Sequence, residues 1–248
     1  MPPSSSRPPR LSRSTRQAVT RLVDAAWAAL EDDATEEARA SWAEAHALAP
    51  EHPDVLWLGA ELAMIDEDWS TARARLEALV ASQPELADAH DALARVFEQL
   101  GQTKAMIAHA LRVHALDARA DRRRRIGTPQ QLEFIEDEVR RVLDELPEEF
   151  ASRLRHVPIV LEPRPSFALV REGFDPRALG LFEGMTDGGV ASDTVIVSPT
   201  RIVLYYANLL AICDDAESLA EEIEITVLHE IGHFFGLSED EVDALGLG

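Results

Sequence analysis

Two histidines four residues apart, His229 and His233, with Glu230 directly after the first, form an H-E-x-x-H segment near the C-terminal end of the 248-residue chain. On a helix, side chains four apart stand one above the other on the same face. Both imidazoles can therefore reach one small ion at a Zn–N distance of about 2.0–2.1 Å. Glu230 then points beside that ion, where a carboxylate can take a proton from water, the general-base role in metal-assisted hydrolysis. Catalytic zinc commonly takes three protein ligands and keeps one position open. Gly236 can adopt the left-handed conformation that ends a helix and turns the chain back. Each of the acidic residues beyond it, Glu239, Asp240, Glu241 and Asp243, can supply the third ligand. Glu239 has the H-x-x-x-H-x-x-G-x-x-ligand spacing at which such a turn returns a side chain to the ion, and Asp240 is the next candidate.

These residues need a helix and a sheet to hold them. Ser218-Leu-Ala-Glu221 reads as a capping box, which predicts the metal helix over Leu219–Phe235, within the apolar run Ile225, Val227, Leu228, Ile231, Phe234 and Phe235. Upstream, Leu132, Ile135, Val139, Val142 and Leu143 recur at helical steps and predict a helix over Thr128–Glu145, capped by Thr128 with Pro129 in its first turn. Short apolar runs predict strands at Val157–Glu162, Leu179–Gly184, Thr194–Val197 and Arg201–Tyr206, with a flexible loop around Gly188 and Gly189. No donor for a developing oxyanion is evident; Tyr205 and Tyr206 are the phenols on offer.

The run from Glu222 to Val242 resembles the active-site segment of the minimal zincins, small bacterial metallopeptidase-like domains whose pattern reads V-L-H-E-x-G-H-x-F-G-L-S-[DE]. The similarity extends upstream through Leu146–Phe150, Leu179–Gly184 and Arg201–Tyr205. It implies a small twisted sheet backed by two helices, a Zn²⁺ ion, and a peptide or protein substrate. It also implies that residues 180–184 form the edge strand beside the metal, where an extended substrate adds a strand.

The first half of the chain reads as helix and repeats. Pro50 and Pro84 are 34 residues apart, with Ala118 one step further on. At the same step Ala26, Ala60 and Ala94 align, as do Ala29, Ala63 and Phe97, and Trp42, Leu76 and Ala110. A 34-residue period with small residues at helix contacts resembles the tetratricopeptide (TPR) family in Leu58-Gly59, around Ala72 and at the two prolines, and departs from it where that family's aromatics stand. Three units make six helices, enough to bury a continuous core and offer a concave face to a protein partner.

The expected plan is α+β. A basic, disordered tail (1–16) precedes a TPR-like helical repeat domain (17–121), a linker (122–128) around Arg122–Arg125 and Gly127, and a minimal zincin-like domain (129–248). The net charge is −21, and residues 129–248 hold 8 basic against 25 acidic side chains. Such acidity opposes a nucleic-acid backbone, so nucleic acid is not an expected partner. No apolar run nears the roughly 20 residues of a membrane span, and no apolar stretch follows the arginines of the tail as in a secretory signal. With Cys213 the single cysteine, no internal disulfide can form and a cytoplasmic location fits. The reading is a zinc metallopeptidase in which His229, His233 and Glu239 bind Zn²⁺ and Glu230 is catalytic, with the repeats recruiting a substrate or partner. The alternative is a non-catalytic TPR adaptor with a structural or vestigial metal site.

Overall fold

The computed structural model describes residues 11–184 and 200–243. The expected strand Thr194–Val197, the Gly188–Gly189 loop and residues 1–10 of the tail lie outside them. The chain divides into two compact units, residues 1–113 and 114–248. Among the described residues the first holds helices and no strand, and the second carries a small mixed sheet among helices.

In the first unit α1 (Arg13–Glu31), α2 (Thr35–Leu48), α3 (Pro53–Ile65), α4 (Trp69–Ser82) and α5 (Ala87–Gln99) follow one another through short turns. The next helix, α6 (Thr103–Arg124), begins there and runs on into residues of the second unit. Helix α1 starts four residues before the end of the expected disordered tail, because the Ser12 side chain accepts the Thr15 N–H and caps it.

The 34-residue period is written into the backbone. Asp33, Glu67 and Gly101 all take left-handed conformations, with φ of 58°, 56° and 66°. After each, the next N–H closes the turn on a carbonyl five residues back: Ala34 on Ala29, Asp68 on Ala63 and Gln102 on Phe97, all at 2.8 Å. These are Schellman-type helix ends. The aligned alanines Ala26, Ala60 and Ala94 are all buried. Gly59 is required by contact: a β-carbon there would lie 2.6 Å from Trp42 Nε1. The Trp42 indole is held by its N–H donating to the Val55 carbonyl at 3.0 Å and by the Arg75 guanidinium 4.4 Å above its ring.

In the second unit the last turns of α6 are followed by α7 (Pro129–Glu145), α8 (Glu148–Leu154), β1 (Ile159–Glu162), α9 (Phe167–Arg171), β2 (Gly180–Glu183), β3 (Arg201–Tyr205), α10 (Tyr206–Ile212), α11 (Ala216–Phe234) and α12 (Glu239–Asp243). Thr128 caps α7 in a full capping box with Gln131. Helix continues to Arg124 through the first residues of the expected linker, and electrostatics explains why. Buried Arg164 pairs bidentately with Asp121 at 2.5 and 3.0 Å and reaches Asp117, which also pairs with Arg177 at 2.9 Å. Arg164 further donates to Asn208 Oδ1, whose amide bridges the carbonyls of Pro176 and Ala178. A buried guanidinium needs such partners, and two of them stand on α6. Gly127 then lets the chain pass the Tyr206 ring, which a β-carbon would meet at 2.7 Å.

The sheet order is β1-β3-β2, with β1 parallel and β2 antiparallel to β3. Central β3 is the most buried strand. Ile202 and Leu204 on one face meet Ile135, Val139 and Val142 of α7 and Leu219, Ile223, Val227 and Ile231 of α11 in one core. Burying side chains of this size stabilises by about 1.5–3 kcal/mol each. Tyr206 begins α10 instead of ending β3, so the helix 206–212 was not foreseen. Among the described residues no helix is long and apolar enough to cross a membrane.

Candidate metal centre

Helix α11 begins one turn earlier than the sequence suggests. Its cap is Asp215, whose carboxylate accepts the Ser218 N–H at 2.9 Å while Ser218 Oγ accepts the Asp215 N–H at 3.3 Å. Ser218 is thus the last position of the box, the third residue of the helix, and not its start. The helix ends at Phe234, and Gly236 at φ 87° turns the chain. Ser238 closes that turn: its N–H and hydroxyl both donate to Glu241 at 2.9 Å, and its carbonyl accepts from Glu241 and Val242 N–H groups. Helix α12 can lie close under α11 because residue 232 is glycine; a β-carbon there would stand 3.0 Å from Val242 Cγ2.

This return brings three donor atoms together. His229 Nε2 and His233 Nε2 are 3.0 Å apart, and Glu239 oxygens stand 3.4 and 3.3 Å from them. Among the described residues these three form the one group of His, Cys, Asp or Glu able to share an ion. The fit to zinc can be tested by geometry. Ligands about 2.0–2.1 Å from a tetrahedral ion lie about 3.3–3.4 Å from each other, close to the separations seen. His233 Nδ1 donates to the Leu237 carbonyl at 3.1 Å. That bond assigns the proton to Nδ1 and leaves the Nε2 lone pair facing the other donors.

Two of the other acidic candidates stand outside the cluster. Glu241 is engaged by Ser238, whose N–H and hydroxyl hold its carboxyl below the usual range. Asp240 is not in the cluster. Asp243 ends α12, with its side chain outside the described residues.

Glu230 is 6% exposed and packs against strand β2. A β-carbon on Gly180 would lie 2.7 Å from Glu230 Oε1 and 2.9 Å from Thr226 Cγ2, so the carboxylate occupies space that only glycine leaves free. Burial raises the Glu230 carboxyl above the usual range, against the opposing pull of His229, His233 and a hydrogen bond from the Phe182 N–H.

The sheet register explains why that N–H is available. Tyr205 N–H donates to the Leu179 carbonyl at 2.8 Å, which makes Leu179 and Tyr205 a hydrogen-bonded pair. By antiparallel alternation Leu181 and Glu183 also turn their polar groups to β3, whereas Gly180 and Phe182 turn theirs outward. Among the described residues no strand pairs with that outer edge. An open cleft of about 730 Å³ runs between β2, α11 and the 236–239 return, and His229, Glu230, His233 and Glu239 all line it.

Neither tyrosine lines the cleft. Tyr205 is wholly buried, with its phenol pushed well above its ordinary pKa by that burial, and Tyr206 packs over Gly127. Sequence reasoning missed Gly180, Gly232 and the Leu237 carbonyl. Gly232 carried a signal, since glycine inside a helix costs about 1 kcal/mol and so marks a close approach. The other two depend on which segments meet in space, which no local pattern reveals.

Residues 154–248 match the family model described as "Zincin-like metallopeptidase". No curated protein matches the chain.

Proposed function

We propose that the zincin-like segment, residues 154–248, makes this chain a zinc-dependent peptidase in which His229, His233 and Glu239 hold the ion and Glu230 is the general base. The observation that carries this reading is the near-tetrahedral spacing of the three donor atoms beside a buried carboxylate in an open cleft. Zinc in such a site supplies a Lewis acid and lowers the pKa of a bound water towards about 7.

This chain's own residues do the rest. The Leu237 carbonyl orients the His233 ring, and Gly236 with the Ser238–Glu241 closure sets Glu239 in reach. Glu230, buried and braced by the Phe182 N–H, takes the proton of the attacking water and passes it to the leaving amine. An extended peptide pairs with the outward N–H and carbonyl of Gly180 and with the Phe182 carbonyl, while the Phe182 N–H stays on Glu230, and so adds a strand to the sheet. The helical repeats recruit a protein substrate or partner, and the acidity of the chain disfavours nucleic acid in that role. The single cysteine fits a reducing, cytoplasmic setting.

Glu230→Gln tests the assignment. Zinc content is expected to persist while hydrolysis of a mixed peptide library falls by at least about 10²-fold. Unchanged turnover removes Glu230 from the mechanism. Stoichiometric zinc with no cleavage by the unaltered protein favours the adaptor alternative.

A further inference from the structure

The cleft has a second carboxylate that the proposed chemistry does not use. Glu222 lies on α11 two turns before His229, with Ile225 and Thr226 between them, and all four line the cleft. Glu224, two residues on, is taken by Arg141 at 2.9 Å. Glu222 has no such cation: among the described residues no ion pair or hydrogen bond engages it, and the cleft lining contains no Lys or Arg. The stretch 185–199, which follows β2 in sequence, contains no Lys or Arg either.

The cleft wall next to Glu222 is mostly apolar, and on its other side Glu222 stands near enough to the Cys213 thiol to help raise its pKa. Strand β2 runs in the same direction as α11, since Gly180 abuts Thr226 and Glu230 whereas Phe182 stacks edge-on with Phe234, ring centroids 5.9 Å apart. The residues ahead of Gly180, namely Phe174, Ala178 and Leu179, therefore fall towards the Glu222 end of the same cleft. An apolar wall with one unpaired carboxylate at its end suits a long side chain that buries a hydrocarbon stem and keeps a cation at its tip, which is the character of Lys and Arg.

Resting on the peptidase reading above, we infer that Glu222 is a specificity-determining residue that selects a substrate peptide with Lys or Arg about three residues from the scissile bond. The distance follows from geometry. Seven helical residues separate Glu222 from His229, about 10 Å along the axis, and an extended strand advances about 3.3 Å per residue. The net negative charge of the domain adds attraction at long range, whereas Glu222 acts at one position.

The experiment uses the full chain with Glu230→Gln, loaded with zinc, so that binding is read without turnover. Fluorescein-labelled ten-residue peptides of Ala, Val and Thr carry one Lys, Arg, Glu or Leu moved along their length, and anisotropy gives the affinity. Lys and Arg peptides are expected to bind about five-fold tighter than Leu or Glu peptides at one favoured position, less so at high salt. A further Glu222→Gln change should erase that preference, and Glu222→Lys should turn it towards Glu. Equal binding of all four peptides, or none at all, overturns the inference, as does a Lys preference that survives Glu222→Gln and so reflects diffuse acidity. The same peptides offered to protein with Glu230 intact separate the two claims: Glu222-dependent binding without cleavage overturns the peptidase reading and leaves the subsite standing.

Discussion

The two units use glycine and left-handed backbone for opposite ends. In the repeats the left-handed turn recurs at Asp33, Glu67 and Gly101, and a β-carbon on Gly101 would meet nothing within 4 Å. The turn is set by repetition of helix lengths, so residue identity there is loosely constrained. In the second unit Gly127 and Gly180 stand where a β-carbon would come within 2.7 Å of Tyr206 and Glu230 respectively. A stacked array spreads its stability over similar units, whereas a site assembled once depends on single close approaches. Gly59, pressed against Trp42, is where the repeats come nearest to the second behaviour.

That contrast can be broken by experiment, and the largest effect is expected at Gly180. Gly180→Val should push Glu230 out of place and lower peptide hydrolysis by about 10²-fold, the scale of a 1 Å misplacement of a catalytic group. Zinc content and far-ultraviolet circular dichroism should change little; a variant as active as the parent would mean that Glu230 does not need that space. Gly59→Val should do the reverse. Overpacking against Trp42 should cost about 1–3 kcal/mol in chemical denaturation while zinc binding by the folded protein is retained. Loss of zinc there would contradict the independence of the two behaviours.

A histidine pair in the repeats should couple their stability to pH. His90 and His109 bond through their Nδ1 atoms at 2.9 Å, and burial holds both imidazoles below their ordinary pKa. Arg112 pushes His90 the same way; the Pro84 carbonyl and Glu77 pull against it at His90 and His109 respectively. Because the folded values are depressed, the stability from keeping these rings neutral is complete above the unfolded value of about 6.5 and is lost as pH falls below it. Thermal melts should therefore show a drop between pH 7 and pH 5 that is shallower in His109→Gln. An identical pH slope in that variant would dismiss the pair as its source. Smallest of all, Glu67→Gly should stabilise by up to about 1 kcal/mol by relieving a left-handed side chain, and a clear loss would show that the side chain contributes more than its backbone costs.

Legibility in the sequence followed the same division. The repeat period could be read from Ala26, Ala60 and Ala94, because every unit restates the pattern. The helix over Pro129–Glu145 and the strands around 159–162, 180–183 and 201–205 were foreseen from their apolar periodicity and flanking turn residues. The proximity of His229, His233 and Glu239 could be read because one helix and one turn join them, so spacing encodes it. Asp215 was passed over as a cap because Ser218-x-x-Glu221 gave a competing box of the usual type. The pairing of Asp117 and Asp121 drew no expectation, since their partner Arg164 is more than forty residues away. The bracing of Glu230 by Gly180 and Phe182 arises only when strand and helix meet, so it left no local trace.

Zinc K-edge X-ray absorption on the purified full-length chain probes the proposed centre most directly. One zinc per chain should appear, with two imidazole nitrogens and a carboxylate oxygen at about 2.0–2.2 Å, and Glu239→Ala should change the oxygen shell while both imidazoles remain. A protein that takes up no zinc, or a zinc signal without imidazole scattering, would contradict the shared site of His229, His233 and Glu239.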